Sequence, residues 1–298
     1  MSTIAITGAS GLIGGALSSA LRARGDRVRV LVRRDPQGPE QFRWDPAIGT
    51  FDPGALDGVD AVVNLAGAGV GDRRWTTAYK TEILRSRLGA TKTICAAITA
   101  SGAPIRLVNG SAVGYYGDRG EEVLAEDSPP GTGFLAQVVK AWEGATADLA
   151  DAGGSVVLAR TGLVMASSGG AMAPMLRLAR LGLGGPLGSG QQFWPVISLR
   201  DEVAALIHLI DDRELAGPVN LVGTVPARQR EVAAALGRLL KRPAVLPAPR
   251  LGLRLVLGQF AQEVLASERV LPDRLLGSGF VHQDNTLEAV LASALRYT

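Results

Sequence analysis

Cysteine is nearly absent: Cys95 is the only one in 298 residues. That excludes an internal disulfide and fits a reducing, cytoplasmic setting. Histidine is almost as scarce, with His208 and His282 alone, too few to supply a typical zinc site, so no metal is expected. A Ser-His-Asp or Cys-His hydrolase would need one of these two. His208 falls inside the apolar helical pattern from Val203 to Ile210, where a packed histidine is the expectation, and His282 falls in a polar turn. No apolar run approaches the roughly 18–20 residues of a membrane span, so no membrane association is expected. Nor does a basic stretch precede a hydrophobic one near Met1, so a secretory signal is not expected either. Charge of one sign is also lacking. Lys and Arg number 31 against 28 Asp and Glu, a net charge of +3, and with no basic stripe nucleic acid is not an expected partner.

Glycine, in contrast, is plentiful, and the chain is organised around one glycine-rich stretch. From Ile4 the sequence reads I-A-I-T-G-A-S-G-L-I-G, with Gly8, Gly11 and Gly14 at spacings of three. An apolar run precedes the glycines, and a helical pattern through Leu17 and Leu21 follows them. Strand, glycine turn and helix in that order aim backbone N–H groups at a phosphate. Gly8 permits the tight turn, Gly11 lets a pyrophosphate reach the backbone, and Gly14 lets helix and strand pack closely. Ser10 and the amides of Leu12 and Ile13 are the expected donors.

Arg27 to Val32 reads as the second strand, ending in Arg33 and Arg34. A site that prefers NAD usually carries an acid there for the ribose hydroxyl, whereas one that prefers NADP carries arginine. NADP(H) is therefore the expected cofactor. Gln41 to Trp44 is a short third strand. Ala61 to Gly67 (A-V-V-N-L-A-G) is a buried strand running into Leu65, Ala66 and Gly67, small enough to lie against ribose and pyrophosphate.

A long helix is expected from Ala78 to about Ser101, with Glu82, Ser86 and Arg87 on what reads as a solvated face. The next strand is Ile105 to Val108. Beyond it, Asn109 to Gly120 (N-G-S-A-V-G-Y-Y-G-D-R-G) reads as an active-site loop bearing Ser111, Tyr115 and Tyr116. A helix from Phe134 to Leu149, a strand from Val156 to Arg160 and another from Phe193 to Ser198 follow. The fold class is α/β, a Rossmann-type doubly wound parallel sheet with a smaller C-terminal substrate lobe. Residues 1–164 would form the dinucleotide-binding domain, completed by about 196–222, with 165–195 and 223–298 forming the lobe.

The motifs T-G-A-S-G-L-I-G, N-L-A-G, R-R-W-T, G-S-A-V-G-Y-Y-G-D, R-T-G-L-V and G-L-G-G-P-L-G-S-G occur in order along the chain. In these the chain resembles extended, atypical short-chain dehydrogenases/reductases, and within them the YfcH-like epimerase-family branch of nucleoside-diphosphate-sugar epimerase-like proteins. The resemblance implies NADP(H) contacts by Arg33, Leu65, Ala66, Glu82, Arg87 and Val164 besides the glycine turn. It also implies an oxidoreductase or epimerase acting on a small polar substrate.

The wider superfamily pairs a tyrosine with a lysine four residues on, and the lysine lowers the phenol pKa. Here the positions four after Tyr79, Tyr115 and Tyr116 are Ile83, Arg119 and Gly120, and Tyr297 has none. Lys140 is present, but Ala136 stands where its tyrosine would be. Ser111 is expected to hold the substrate oxygen, with Tyr116, then Tyr115, as proton donor. A cofactor-binding regulatory or interaction protein without catalysis is the alternative.

Overall fold

The computed structural model describes residues 1–170 and 172–296. Two compact units form: Met1–Ser111 with Val138–Ala159 and Val203–Val219, and Ala112–Gln137 with Arg160–Glu202 and Asn220–Thr298.

The first unit is built on strands β1 (Thr3–Thr7), β2 (Arg27–Val32), β3 (Gln41–Asp45), β4 (Thr50–Phe51), β5 (Ala61–Asn64) and β6 (Arg106–Ala112). With Val156–Thr161 and Gly217–Leu221 they make an eight-stranded sheet. Its order is 217–221, 156–161, β6, β5, β1, β2, β3, β4. β1 pairs in parallel with both β2 and β5, and β5 with β6, while β4 closes the edge antiparallel to β3. Ile4, Ala5, Ile6, Val62 and Val63 are fully buried, as expected of apolar strands covered on both faces. The chain winds outward from β1 to β3 and then restarts on the other side at β5. The carboxyl ends of β1 and β5 thus flank the point where strand order reverses, the usual ligand crevice of such sheets.

Helices α1 (Leu12–Arg24) and α2 (Thr77–Ser101) match their expected positions closely, and α3 (Phe134–Gly144) starts where expected. Ile94, Cys95 and Ile98 of α2 pack with Leu107, Leu149 and Val156 in one apolar cluster. Burial pushes the Cys95 thiol up to about 11, which makes it a small hydrophobe rather than a nucleophile.

Four expectations need correction. Strand β6 continues through Asn109 and Ser111, which were expected in a loop. Asn109 pairs with Asn64 of β5 in the parallel register, and both side chains are buried and bonded to each other. The helix expected to run to Leu149 stops at Gly144 and resumes as Ala147–Asp151, glycine being a weak helix former. The strand expected from Phe193 to Ser198 is interrupted at Pro195. Phe193–Trp194 pairs with Ala227–Arg228, and Val196–Ser198 pairs with Leu163–Ala166. His282, expected in a polar turn, is buried with Nε2 at 2.9 Å from the Val222 carbonyl.

The second unit has its own core, in which Met172, Leu176, Trp194, Val232, Leu236 and Leu291 pack together. A smaller cluster joins Val113, Tyr116, Leu124, Val222 and Val270.

Candidate functional site

The glycine turn of the first unit has the expected form. Gly8 sits at φ +69°, and a Cβ there would lie 2.7 Å from the Leu65 carbonyl oxygen. A Cβ on Gly14 would lie 2.3 Å from the Gly8 oxygen. Both glycines are therefore required by the backbone itself. Gly11 differs: it is exposed, caps α1 with φ −81° and ψ 171°, and its Cβ would meet only the Gly8 oxygen at 3.3 Å. A side chain there would meet one tight backbone contact and otherwise open space, so the fold constrains Gly11 less than Gly8 or Gly14. The first turn of α1 holds no acid, and Gly11 offers no side-chain cap, so the Leu12 and Ile13 amides lack intrahelical acceptors. Ser10 beside them is exposed and makes no hydrogen bond among the described residues.

The neighbouring turn is held by a side-chain network that spacing and periodicity did not indicate. The Thr7 hydroxyl accepts from the Leu65 and Ala66 amides, each at 3.0 Å, and donates to Asn64 Oδ1 at 2.7 Å. Asn64 Nδ2 in turn donates to Asn109 Oδ1 at 2.7 Å and to Thr91 Oγ1 at 3.2 Å, and Trp142 Nε1 donates to Thr91 Oγ1 at 2.9 Å. This buried chain ties β1, β5, β6, α2 and α3 together below the strand ends. Such a network is costly to leave partly made and fixes geometry when complete. Polar residues inside otherwise apolar buried strands, Thr7 and Asn64 at the ends of β1 and β5 and Asn109 midway along β6, were the available signal.

Arg33 and Arg34 follow β2 and are exposed. Arg34 reaches only the Asp35 carbonyl, at 3.4 Å, and Asp35 is held by Arg43. Arg33 has no partner among the described residues. Arg87 is not on a solvated face, as periodicity suggested: it is held across Gly67, whose missing Cβ would sit 3.2 Å from Arg87 Cγ. Its Nη1 donates to the carbonyls of Ala68 (2.9 Å) and Ile83 (3.1 Å), and its guanidinium lies 5.0 Å from the Trp142 ring centroid. Burial lowers its pKa to about 10. No carboxylate pairs with it among the described residues, so a half-buried cation is left without a counter-ion. Glu82 is exposed on α2 and 3.9 Å from Arg73.

Ser111, at the end of β6, is buried and donates its hydroxyl to Glu143 Oε1 at 2.6 Å. Glu143 lies on α3 almost one turn beyond Lys140 and was given no role from sequence. The serine and the helix where a tyrosine–lysine pair would stand are thus joined through a carboxylate.

The second unit holds the two tyrosines and Val164. Tyr116 is fully buried; its hydroxyl donates to Asn220 Oδ1 at 2.8 Å and accepts from Arg160 Nη1 at 2.9 Å. Burial pushes its pKa up to about 12, outweighing the lowering by Arg160. A ring so enclosed, with its hydroxyl committed on both sides, is built for structure, and the geometry does not favour Tyr116 as first choice of donor. Tyr115 packs edge-on against it at 5.4 Å and carries the Arg160 guanidinium 3.6 Å above its ring. Tyr115 is half-buried, and its hydroxyl makes no hydrogen bond among the described residues. Val164 is buried in the strand Leu163–Ala166 beside Ile197. Tyr297 lies outside the described residues.

Comparison with known proteins agrees with this geometry. The model of the NAD dependent epimerase/dehydratase family matches residues 4–222, and a domain of unknown function, DUF1731, matches residues 248–294. Epimerase family protein MT2273 of Mycobacterium tuberculosis is 44% identical over 292 residues, covering 98% of this chain and 97% of that protein. A crystal structure of human epimerase family protein SDR39U1 with NADPH superposes with a TM-score of 0.90 at 34% identity, covering 99% of both chains. The nucleoside-diphosphate sugar epimerase structure from Corynebacterium glutamicum gives a TM-score of 0.82 at 32% identity, covering 98% of this chain and 58% of that one. With a Rossmann-like sheet, the glycine turn at its strand reversal and relatives matched end to end, the chain belongs to the NAD dependent epimerase/dehydratase family, among its SDR39U1-like epimerase family proteins.

Proposed function

We propose that this protein binds NADP(H) at the carboxyl ends of β1, β2 and β5, and uses it in oxidoreductase or epimerase chemistry on a small polar substrate. The observation that carries the binding half is the bare Gly11 at an uncapped helix start, together with two cations, Arg33 and Arg87, that no acid neutralises among the described residues. The residues present fit the dinucleotide: the Leu12 and Ile13 amides suit the pyrophosphate, and Arg33 with Arg34 suits a 2′-phosphate. Leu65, Ala66 and Gly67 offer a small-residue wall, and Glu82 and Val164 are further candidate contacts. The NADPH held by the human relative supports the same reading.

Bound, the nicotinamide would give or accept hydride. The chain must then move the accompanying proton, and Ser111 with Glu143 is the pair best arranged to do so. Because the Ser111 proton is engaged by Glu143, the serine oxygen presents lone pairs outward. It is poised to accept a hydrogen bond from a substrate hydroxyl and to pass that proton to the carboxylate. This arrangement suits alcohol oxidation, the first half of an epimerisation, and does so without a tyrosine–lysine pair. Tyr115, with a free hydroxyl, is the second candidate. A nucleoside-diphosphate sugar would be consistent with the Corynebacterium relative's name.

The absence of a Tyr-x-x-x-Lys pair favours a second reading, a non-catalytic NADPH-binding protein. Calorimetry with NADPH and NADH tests the binding half. Turnover of NADP+ with a panel of sugar nucleotides and simple polyols tests the rest: binding with no turnover across the panel, and no effect of Glu143→Gln on any step, would favour the second reading.

A further inference from the structure

Within the second unit, apolar side chains stand in water where a folded chain would ordinarily hide them. The helix Arg250–Leu257 is strongly two-sided yet has no buried residue. Leu251, Leu255 and Val256 are exposed to 70%, 70% and 76%. Val245, at 74%, and Leu246 lead into that helix, and Leu181, also at 74%, stands at the end of the helix Met172–Arg180. These segments adjoin. The Leu246 amide donates to the Gly184 carbonyl at 3.1 Å, Ala248 to Pro186 at 2.8 Å, and Gly182 approaches the Pro243 ring. The segments that carry these exposed apolar residues therefore adjoin, and apolar residues clustered on the surface in this way mark an interaction surface.

Charge identifies what the surface fits. The whole chain is nearly balanced, yet no Asp or Glu occurs from Thr161 to Arg200 or from Val232 to Gln262. The cations Arg177, Arg180, Lys241, Arg242, Arg250 and Arg254 occupy these same stretches and are all exposed. On the helix Arg250–Leu257, Arg250 and Arg254 form a row one turn apart, and Leu251 and Leu255 form the next row beside it. Leucine and valine that can enter the acyl boundary, bordered by arginine at headgroup level, is the arrangement of a helix lying in a membrane interface.

We propose that this face docks on an anionic lipid bilayer, holding the protein at a membrane surface without crossing it. No described helix is long and apolar enough to cross, so the contact is peripheral and departs from the expectation of no membrane association. A second copy of the chain fits less well, because a two-fold contact would set Arg250 and Arg254 and their neighbouring cations against their own like charges. An acidic protein partner fits less well too. The stretches 172–192 and 241–259 contain no Trp, Tyr or Phe, the residues that anchor protein interfaces, where leucine and valine are under-represented.

The test is co-sedimentation of the full chain with phosphatidylcholine–phosphatidylglycerol vesicles against pure phosphatidylcholine. Binding to the anionic vesicles that weakens in high salt is expected. The pair Leu251→Ser with Leu255→Ser, and separately Arg250→Gln with Arg254→Gln, should each weaken it by at least about tenfold. NADPH affinity and the melting temperature serve as folding controls for both pairs. No binding by the native chain, equal binding to neutral vesicles, or unchanged binding by both pairs overturns the proposal. So does equally tight binding to immobilised polyglutamate, which would assign charge alone, or a dimer in light scattering that the leucine pair dissociates.

Discussion

Ser111 donates its only hydroxyl proton to Glu143 across 2.6 Å. The direction of that bond decides what the serine can do next. Held this way it cannot also donate to a substrate carbonyl; it can accept from a substrate hydroxyl. The lack of a lysine-paired tyrosine favours reduction, because a neutral phenol gives a proton more readily than it takes one. The serine–carboxylate pair favours the opposite direction. Glu143→Gln should lower turnover by about 10²–10⁴-fold, the usual range for one proton-transfer group. NADPH affinity should stay unchanged in a parallel titration, and undiminished turnover would remove Glu143 from the chemistry.

Gly11 and Gly14 should respond in opposite ways. Gly11→Val meets only one oxygen, at 3.3 Å, so the thermal transition should stay close to native while calorimetry shows NADPH binding lost. Gly14→Ala places a methyl 2.3 Å from the Gly8 oxygen and should lower the transition itself. Normal binding by the valine variant would put the phosphates elsewhere.

Among the described residues Arg33 has no partner to release before it meets a phosphate. NADPH should bind at least about tenfold more tightly than NADH, or about 1.4 kcal/mol, and Arg33→Ala should erase most of that preference. Equal affinities for the native protein, measured by calorimetry, would contradict this.

Tyr116→Phe should cost stability rather than catalysis. It removes the donor to Asn220 Oδ1 and one acceptor of Arg160 inside the second unit, and a buried acceptor left unpaired costs about 1–3 kcal/mol. Denaturant melts should show the loss while turnover per folded molecule is retained. Tyr115→Phe removes a hydroxyl with no protein partner and should leave the melt unchanged, so a fall in its turnover would assign Tyr115 a chemical role.

Glu202 makes stability depend on pH. Fully buried on the helix Leu199–Asp211, it accepts from Thr161 at 2.7 Å, while its other oxygen has no partner. Burial pushes its pKa up to about 8. The folded protein therefore binds a proton that the unfolded chain releases above the ordinary carboxylate range. The stabilisation is complete at pH below that range and is lost as pH rises through about 8. Melting temperatures from acid to mildly alkaline pH should fall along that path, and Glu202→Gln should flatten the decline.

The glycine turn was readable because it is local. Gly8, Gly11 and Gly14 are followed directly by α1, and Arg33 directly follows β2, so spacing alone carries the geometry. The supporting network was not readable in this way. Thr7, Asn64, Thr91, Asn109 and Trp142 are far apart in the chain, and each polar group there is satisfied only by another that the sheet brings near. Periodicity alone failed at Arg87 for a related reason: it places the residue outward, and the bare backbone of Gly67 lets it fold inward. Tyr116 looked reactive in its loop because its enclosure depends on Arg160 and Asn220, both distant in sequence.

Arg87 also bears on how the protein behaves at the bench. A guanidinium held under burial by two carbonyls and an aromatic face raises the free energy of the empty protein more than that of a complex supplying an anion. The molecule should therefore retain phosphate-bearing metabolites through purification, and mass spectrometry of the denatured eluate would name them. Added dinucleotides should raise the melting temperature in proportion to the logarithm of their concentration once it exceeds Kd. A fluorescence melt in a multiwell plate thus becomes a ligand search that needs no knowledge of the reaction.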